Sequence, residues 1–133
     1  MQSYKVEVRR IDSMHAEALV RDFSLILGAR RADPAAGFNP VETLLSAVGD
    51  CLLTSLDHVA EASRVAIAEA SVELEAERQE KPPLLTHIRY TLRIRSDATD
   101  ERLEHLVELG KAHSTVFETI AQAVPVEGVW QRA

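Results

Sequence analysis

Cysteine, aromatic residues and long apolar runs are all scarce in this sequence. Only one of the 133 residues is cysteine, Cys51, and 5% are aromatic. A single thiol excludes an intramolecular disulfide framework, a zinc site built on several cysteines and a CxxC redox pair, and it suits a reducing cytoplasm. No stretch of about 18 uncharged apolar residues occurs, so we expect no membrane span.

Positive charge is also in short supply. Lys and Arg number 15 against 21 Asp and Glu, the formal net charge is −6, and no basic run exceeds Arg30-Arg31. This balance argues against a nucleic-acid or membrane-surface partner and favours a small molecule or another protein. The motifs GxSxG, GxGxxG and HExxH are missing and the histidines show no ligand spacing, so we expect neither a cofactor nor a metal.

Length and patterning indicate a single α+β domain over residues 1–133. With 46% hydrophobic residues the chain can bury a core of its own. Alternating apolar residues predict a first strand near Tyr4–Val8. They then predict two short strands or one bent strand through Ala16–Val20 and Phe23–Leu27, before a surface loop from Ala29 to Phe38. The predicted element order for the whole chain is β-β-β-α-β-β-α-α-β.

The clearest local signal opens a long helix. Asn39 is a good N-cap, Pro40 suits the first helical position, and Glu42 can reach back to the cap. The polar residues that follow form one narrow stripe, which consists of Ser46, Asp50, Asp57 and Glu61. Because a helix that is apolar around most of its circumference is buried on several sides, we expect this helix, to about Ala62, to be central and partly covered by a second subunit.

Two further strands are predicted as an antiparallel pair. Apolar and charged residues alternate through Val72–Ala76 and again through Ile88–Ile94, with Glu on the first and Arg on the second. Each cross-strand Glu–Arg contact would stabilise this strand pairing by roughly a few tenths of a kcal/mol. A closing edge strand is predicted over Val124–Trp130, since proline is tolerated at an edge.

Two shorter helices complete the pattern. Thr99 is predicted to cap the first, which ends near Gly110. The second is predicted to begin at Ser114 or Thr115, with Thr115 and Glu118 at capping-box spacing.

Cys51 lies in the middle of the long helix. It therefore receives none of the thiolate stabilisation that a helix N-terminus gives, and a buried helix cysteine is ordinarily a small core residue. Arg21, Arg30 and Arg31 precede the helix. An arginine can stabilise a thiolate, although exposed arginines more often serve solubility. Glu42 is already explained by the helix cap.

Taken together, several segments resemble the signature of the OsmC-like superfamily, which includes osmotically inducible protein C and the organic hydroperoxide resistance proteins. The segments are Arg21 to Leu25, Asp33, FNPVETLLSAVGDC up to Cys51, HSTVFETI and VPV. The resemblance extends from Arg21 to Val126. It implies an OsmC-like fold, with antiparallel sheets packed around a long central helix in an intertwined homodimer.

By that resemblance Cys51 is the peroxidatic thiol, which attacks an organic hydroperoxide and becomes a sulfenic acid. Arg21 matches an upstream arginine of the family. Glu42 matches an acidic residue after the proline, although in the hydroperoxide-resistance branch the carboxylate follows the proline directly, where this chain has Val41. Two-cysteine members carry a resolving cysteine at the position of Ser114. Because serine cannot form a disulfide, an external thiol reductant is implied.

Two functions from different classes remain open at this point. The first is a single-cysteine redox protein that reduces organic hydroperoxides with an external thiol. The second is a non-catalytic dimer, linked to stress or binding a small apolar ligand, in which Cys51 only lines the pocket. Whether the protein is an enzyme therefore depends on the reactivity of Cys51.

Overall fold

The structure is a computed structural model that describes residues 1–133. Its elements follow the predicted order, with a short 3-10 turn at Pro34–Ala36 inside the predicted loop. The strands are β1 (Glu7–Arg10), β2 (His15–Val20), β3 (Phe23–Gly28), β4 (Glu69–Gln79), β5 (Leu84–Arg95) and β6 (Val126–Arg132). The helices are α1 (Pro40–Ala62), α2 (Asp100–Ala112) and α3 (Thr115–Ala121).

Contacts divide the chain into two compact units, Met1–Leu44 and Leu45–Ala133. The first unit contains an antiparallel meander in the order β1-β2-β3. Because directly opposed residues share a face, the register gives this sheet one largely apolar face. We call it the apolar face; it consists of Val8, Ala16, Ala18, Val20, Phe23, Leu25 and Leu27. Val8, Phe23 and Leu25 are exposed in the chain.

The second unit contains a sheet in the order β4-β5-β6. β4 and β5 pair antiparallel as predicted, and the expected Glu–Arg pairs form at Glu69–Arg95 (2.7 Å) and Glu77–Arg89 (3.6 Å). β5 and β6, however, pair parallel, so this sheet is mixed and not wholly antiparallel. The reason is the connection: α2 and α3 carry the chain back across the sheet before β6 begins, as a parallel crossover requires.

The core of the second unit lies between the central strand β5 and the helices. Its members come from α1, α2, α3 and β5 and include Val48, Leu56, Ile94, Leu103, Leu106 and Phe117. Val48, Ile94 and Leu103 are 0% exposed. Gly49 brings α1 close to β4, since a Cβ there would lie 2.8 Å from Cδ1 of Leu74. The prediction that the long helix is buried is confirmed for its inner face.

Helix starts were largely predictable. The Asn39 Oδ1 accepts from the Glu42 N–H (2.8 Å) and the Glu42 Oε1 accepts from the Asn39 N–H (3.0 Å), which is the predicted reciprocal cap. The Thr99 Oγ1 likewise accepts from the Arg102 N–H at 3.2 Å. α2 ends at Ala112, two residues beyond the Gly110 near which its end was predicted. Gly110 is buried against α1, and a Cβ there would lie 3.5 Å from the backbone nitrogen of Leu56, which is an ordinary van der Waals distance.

Candidate functional site

Cys51 lies at the middle of α1 and is a free, half-buried thiol. The next residue along the helix, Leu52, is 4% exposed and belongs to the core, whereas Asp50 on the other side is exposed on the polar stripe. Cys51 therefore sits at the boundary between the packed face of the helix and its open face. A thiol in this position can meet a small molecule from solvent while part of its surroundings stays apolar.

Ser114 lies in direct contact with the Cys51 backbone. It is 0% exposed, and its hydroxyl is 3.3 Å from the Cys51 carbonyl oxygen and 3.1 Å from that of Gly110. The hydroxyl proton is donated to these carbonyls, so the side chain does not cap α3 although Ser114 occupies the N-cap position. The predicted capping box of Thr115 with Glu118 is also wrong, because Thr115 is already the first helical residue.

Arg21 lies in the turn between β2 and β3, in the first unit. Its φ of 50° is in the left-handed region, and its side chain is exposed. The guanidinium carbon stands 5.8 Å from the centroid of the Phe23 ring, a cation–π arrangement at the edge of the apolar face. Arg30 pairs instead with Asp33, at 3.7 Å. Arg21 and Arg30 therefore have different local partners.

Glu42 belongs to the first unit as well and is exposed in the first turn of α1. Its carboxylate holds the Asn39 N–H, so it has a structural role in starting the helix. Of the three residues singled out from the sequence, Arg21 and Glu42 therefore fall in one unit and Cys51 in the other. The contact that the structure adds to Cys51 is Ser114.

Two histidines distant in sequence come together near this contact. The rings of His58, on α1, and His113, at the end of α2, have centroids 6.4 Å apart. The His113 Nδ1–H donates to the Leu109 carbonyl at 2.8 Å, which leaves Nε2 as the acceptor of the neutral ring. Spacing along the sequence gave no signal for this pair. No group of three or more His, Cys, Asp or Glu side chains suited to a metal ion is found.

The sequence also does not predict a buried cluster around Tyr90. Tyr90 is 5% exposed and stacks edge-on against Phe117, with ring centroids 6.1 Å apart. Burial raises the pKa of the Tyr90 hydroxyl, while the Lys111 ammonium opposes that rise. Burial would lower the pKa of Lys111, but the charges of Tyr90 and Glu108 outweigh it and the pKa is raised. The alternating strand pattern could place Tyr90 on the inner face but could not place Lys111 beside it.

None of the helices has the length and apolar character needed to cross a lipid bilayer.

Comparison with known proteins gives one consistent result. A family model described as OsmC-like protein matches residues 32–128. An OsmC-like protein of Mycoplasma pneumoniae superposes with a TM-score of 0.89 at 17% identity, covering 99% of this chain and 98% of that chain.

Two solved structures with a peroxide-related description have the same fold. The organic hydroperoxide resistance protein OhrB of Bacillus subtilis has a TM-score of 0.69 at 19% identity, with 98% of each chain covered. An organic hydroperoxide resistance protein OsmC of Legionella pneumophila has a TM-score of 0.73 at 16% identity, covering 98% of this chain and 99% of that chain. No curated protein matches the sequence.

Proposed function

Because the chain belongs to the OsmC-like protein family, we propose that it is a redox protein that reduces organic hydroperoxides through the single thiol of Cys51. The observation that carries the proposal is the half-buried position of Cys51 at the edge of an apolar helix face. Relatives of the same fold are organic hydroperoxide resistance proteins, which supports this substrate class. The proposal takes residues 1–133 as one OsmC-like domain.

The first chemical step is a displacement on oxygen. The Cys51 thiolate attacks the terminal oxygen of the hydroperoxide, an S–O bond forms and the O–O bond breaks. The leaving alkoxide takes up a proton and departs as an alcohol. Sulfur is oxidised by two electrons to a sulfenic acid, and the peroxide is reduced by the same two electrons. An apolar surface beside the thiol favours a hydroperoxide with an organic substituent over hydrogen peroxide.

The second step needs an external thiol. Cys51 is the only cysteine in the chain, so no internal thiol can condense with its sulfenic acid. A first external thiol displaces water and forms a mixed disulfide, and a second releases Cys51 as a thiol while the two external sulfurs join. The family cycle with a resolving cysteine does not apply here, because Ser114 stands at that position.

Arg21 and Glu42 are proposed to assist this chemistry. A guanidinium is permanently charged and can stabilise a thiolate, and a carboxylate can orient the guanidinium. The upstream arginine of the family supports the role of Arg21. The family carboxylate, which stands one position earlier than Glu42, supports a carboxylate near the start of α1. The structure gives each residue a local role in addition, since Arg21 lies against Phe23 and Glu42 caps α1.

The decisive test is trapping of the sulfenic acid. We expect the protein treated with cumene hydroperoxide to react with a dimedone-type probe, and Cys51→Ser to lose that reaction completely. Arg21→Met should slow consumption of the peroxide about tenfold or more, while Arg31→Met, which removes an exposed arginine of the loop, should leave the rate unchanged. Labelling no faster than that of a free thiol would reject the proposal. Tight binding of a small apolar ligand such as cumyl alcohol in a thermal-shift assay would then favour the ligand-binding alternative.

We propose that the functional form is a homodimer. The apolar face of the first unit exposes 58% of Val8, 67% of Phe23 and 65% of Leu25, and soluble monomers rarely expose a contiguous apolar patch of this kind. Sedimentation equilibrium should give twice the 14.7 kDa mass of the chain. Leu25→Lys should shift the protein toward monomer, whereas Val129→Lys, at an exposed position of β6, should not. A monomer at all concentrations would contradict the proposal.

A further inference from the structure

A surface cavity of about 240 Å³ lies between α2 and β6 in the second unit. Glu104 and Glu108 of α2 line one side, and Val129 and Trp130 of β6 line the other. Tyr90 of β5 also contributes to the lining, and its ring lies directly against Gly128, where a Cβ would be 2.5 Å from Cδ1 of Tyr90. The cavity thus combines aromatic surface with carboxylates.

The two carboxylates project into the same space because they are four residues apart on one helix face. Like charges at this spacing repel each other, and the structure offsets the repulsion only in part. The Trp130 indole N–H donates to Glu104, and the Lys111 ammonium lies 3.3 Å from Oε1 of Glu108. Two carboxylates against one ammonium leave one negative charge. Each carboxylate has more acceptor positions than its contact with Trp130 or Lys111 occupies.

We propose that this cavity binds a small organic cation of the quaternary ammonium type. Such a cation is weakly hydrated and is attracted both by aromatic rings and by carboxylates. The cavity lining contains both groups, since Tyr90 and Trp130 line it together with Glu104 and Glu108. A metal ion fits less well, because no group of three or more ligating side chains is found. The cavity is smaller than the roughly 300–1,000 Å³ typical of drug-sized ligands, so its occupant is a headgroup-sized molecule.

The site is independent of the proposed chemistry at Cys51. None of its lining residues is Cys51, Ser114, Arg21 or Glu42. If Glu104 served only in packing, its hydrogen bond from the Trp130 indole, which joins β6 to α2, would account for it fully. That role requires an acceptor at position 104 but not a negative charge, so the charge can be tested separately from the hydrogen bond.

Trp130 is the only tryptophan in the chain and reports directly on the cavity. We expect choline chloride to change the fluorescence of Trp130 in a saturable manner. Its uncharged isostere dimethylbutanol, in which carbon replaces the ammonium nitrogen, should bind at least about tenfold more weakly. Sodium chloride at matched concentration controls for ionic strength.

Charge-removing variants decide between binding and packing. Glu104→Gln keeps an amide oxygen that can accept from Trp130, and Glu108→Gln likewise keeps the shape of its side chain. Each should weaken choline binding about threefold, and the pair should weaken it about tenfold, while Glu101→Gln on the same helix should leave it unchanged. Equal responses to choline and dimethylbutanol, no saturable response, or equal loss in Glu101→Gln would each overturn the proposal.

Discussion

Ser114→Cys is expected to join residue 114 to Cys51 by a disulfide when the variant meets one equivalent of cumene hydroperoxide. The Ser114 hydroxyl lies 3.3 Å from the Cys51 carbonyl oxygen, so a thiol at position 114 is beside the Cys51 backbone. The sulfenic acid formed at Cys51 would then condense with the new thiol and release water. After treatment with an alkylating reagent, intact-mass analysis should show that neither cysteine of the variant has been alkylated. The parent protein should instead pass to sulfinic acid as the peroxide is increased.

Ser63→Cys is the matched control for this experiment. Residue 63 directly follows α1 and is separated from Cys51 by about 18 Å along the helix axis, beyond the reach of a disulfide. Its thiol should remain free under the same oxidation. Retention of both thiols in Ser114→Cys, together with over-oxidation of Cys51, would contradict the expectation. The reduced variant should first be shown by circular dichroism to be folded, since position 114 is fully buried.

Leu103→Ala is expected to lower the free energy of unfolding by about 2–5 kcal/mol. Leu103 is 0% exposed on α2 and belongs to the core of the second unit. Truncation removes apolar burial and leaves a cavity that a rigid sheet and two helices cannot fill. Urea unfolding at a fixed protein concentration measures the change, with concentration held constant because association would add to stability.

Leu84→Ala supplies the comparison, because it makes the same substitution at a position that is 56% exposed. Its effect should stay below about 1 kcal/mol. If the two variants lose equal stability, the second unit does not have the core described here. Both residues lie in the second unit, so the comparison concerns one core only.

The fold was predictable from the sequence wherever short-range chemistry determined it. The start of α1 depends on Asn39 and Glu42, which are three residues apart, and both expected hydrogen bonds form. The pairing of β4 with β5 follows from alternation and a short connection. The direction of β6 was not predictable, because it depends on where α2 and α3 place the chain before β6 begins.

In the candidate site, too, the local features were predictable from the sequence and the long-range contacts were not. The motif around Cys51 and the position of Ser114 were visible in the sequence, but the contact between them was not, because it joins residues far apart in the chain. The capping expectation for α3 failed because Thr115 is already the first helical residue. The residue before it, Ser114, donates its hydroxyl to the carbonyls of Gly110 and Cys51, and the Cys51 contact joins residues far apart in the chain.

The reciprocal cap at the start of α1 affects how variants of Glu42 must be read. A change to alanine would remove both the carboxylate charge and the acceptor for the Asn39 N–H, so a loss of the proposed peroxide reduction in that variant does not distinguish a lost charge from a frayed first turn. Glutamine retains an acceptor of the same length. A comparison of the two substitutions therefore separates an electrostatic contribution to turnover from the mechanical integrity of the segment that leads to Cys51.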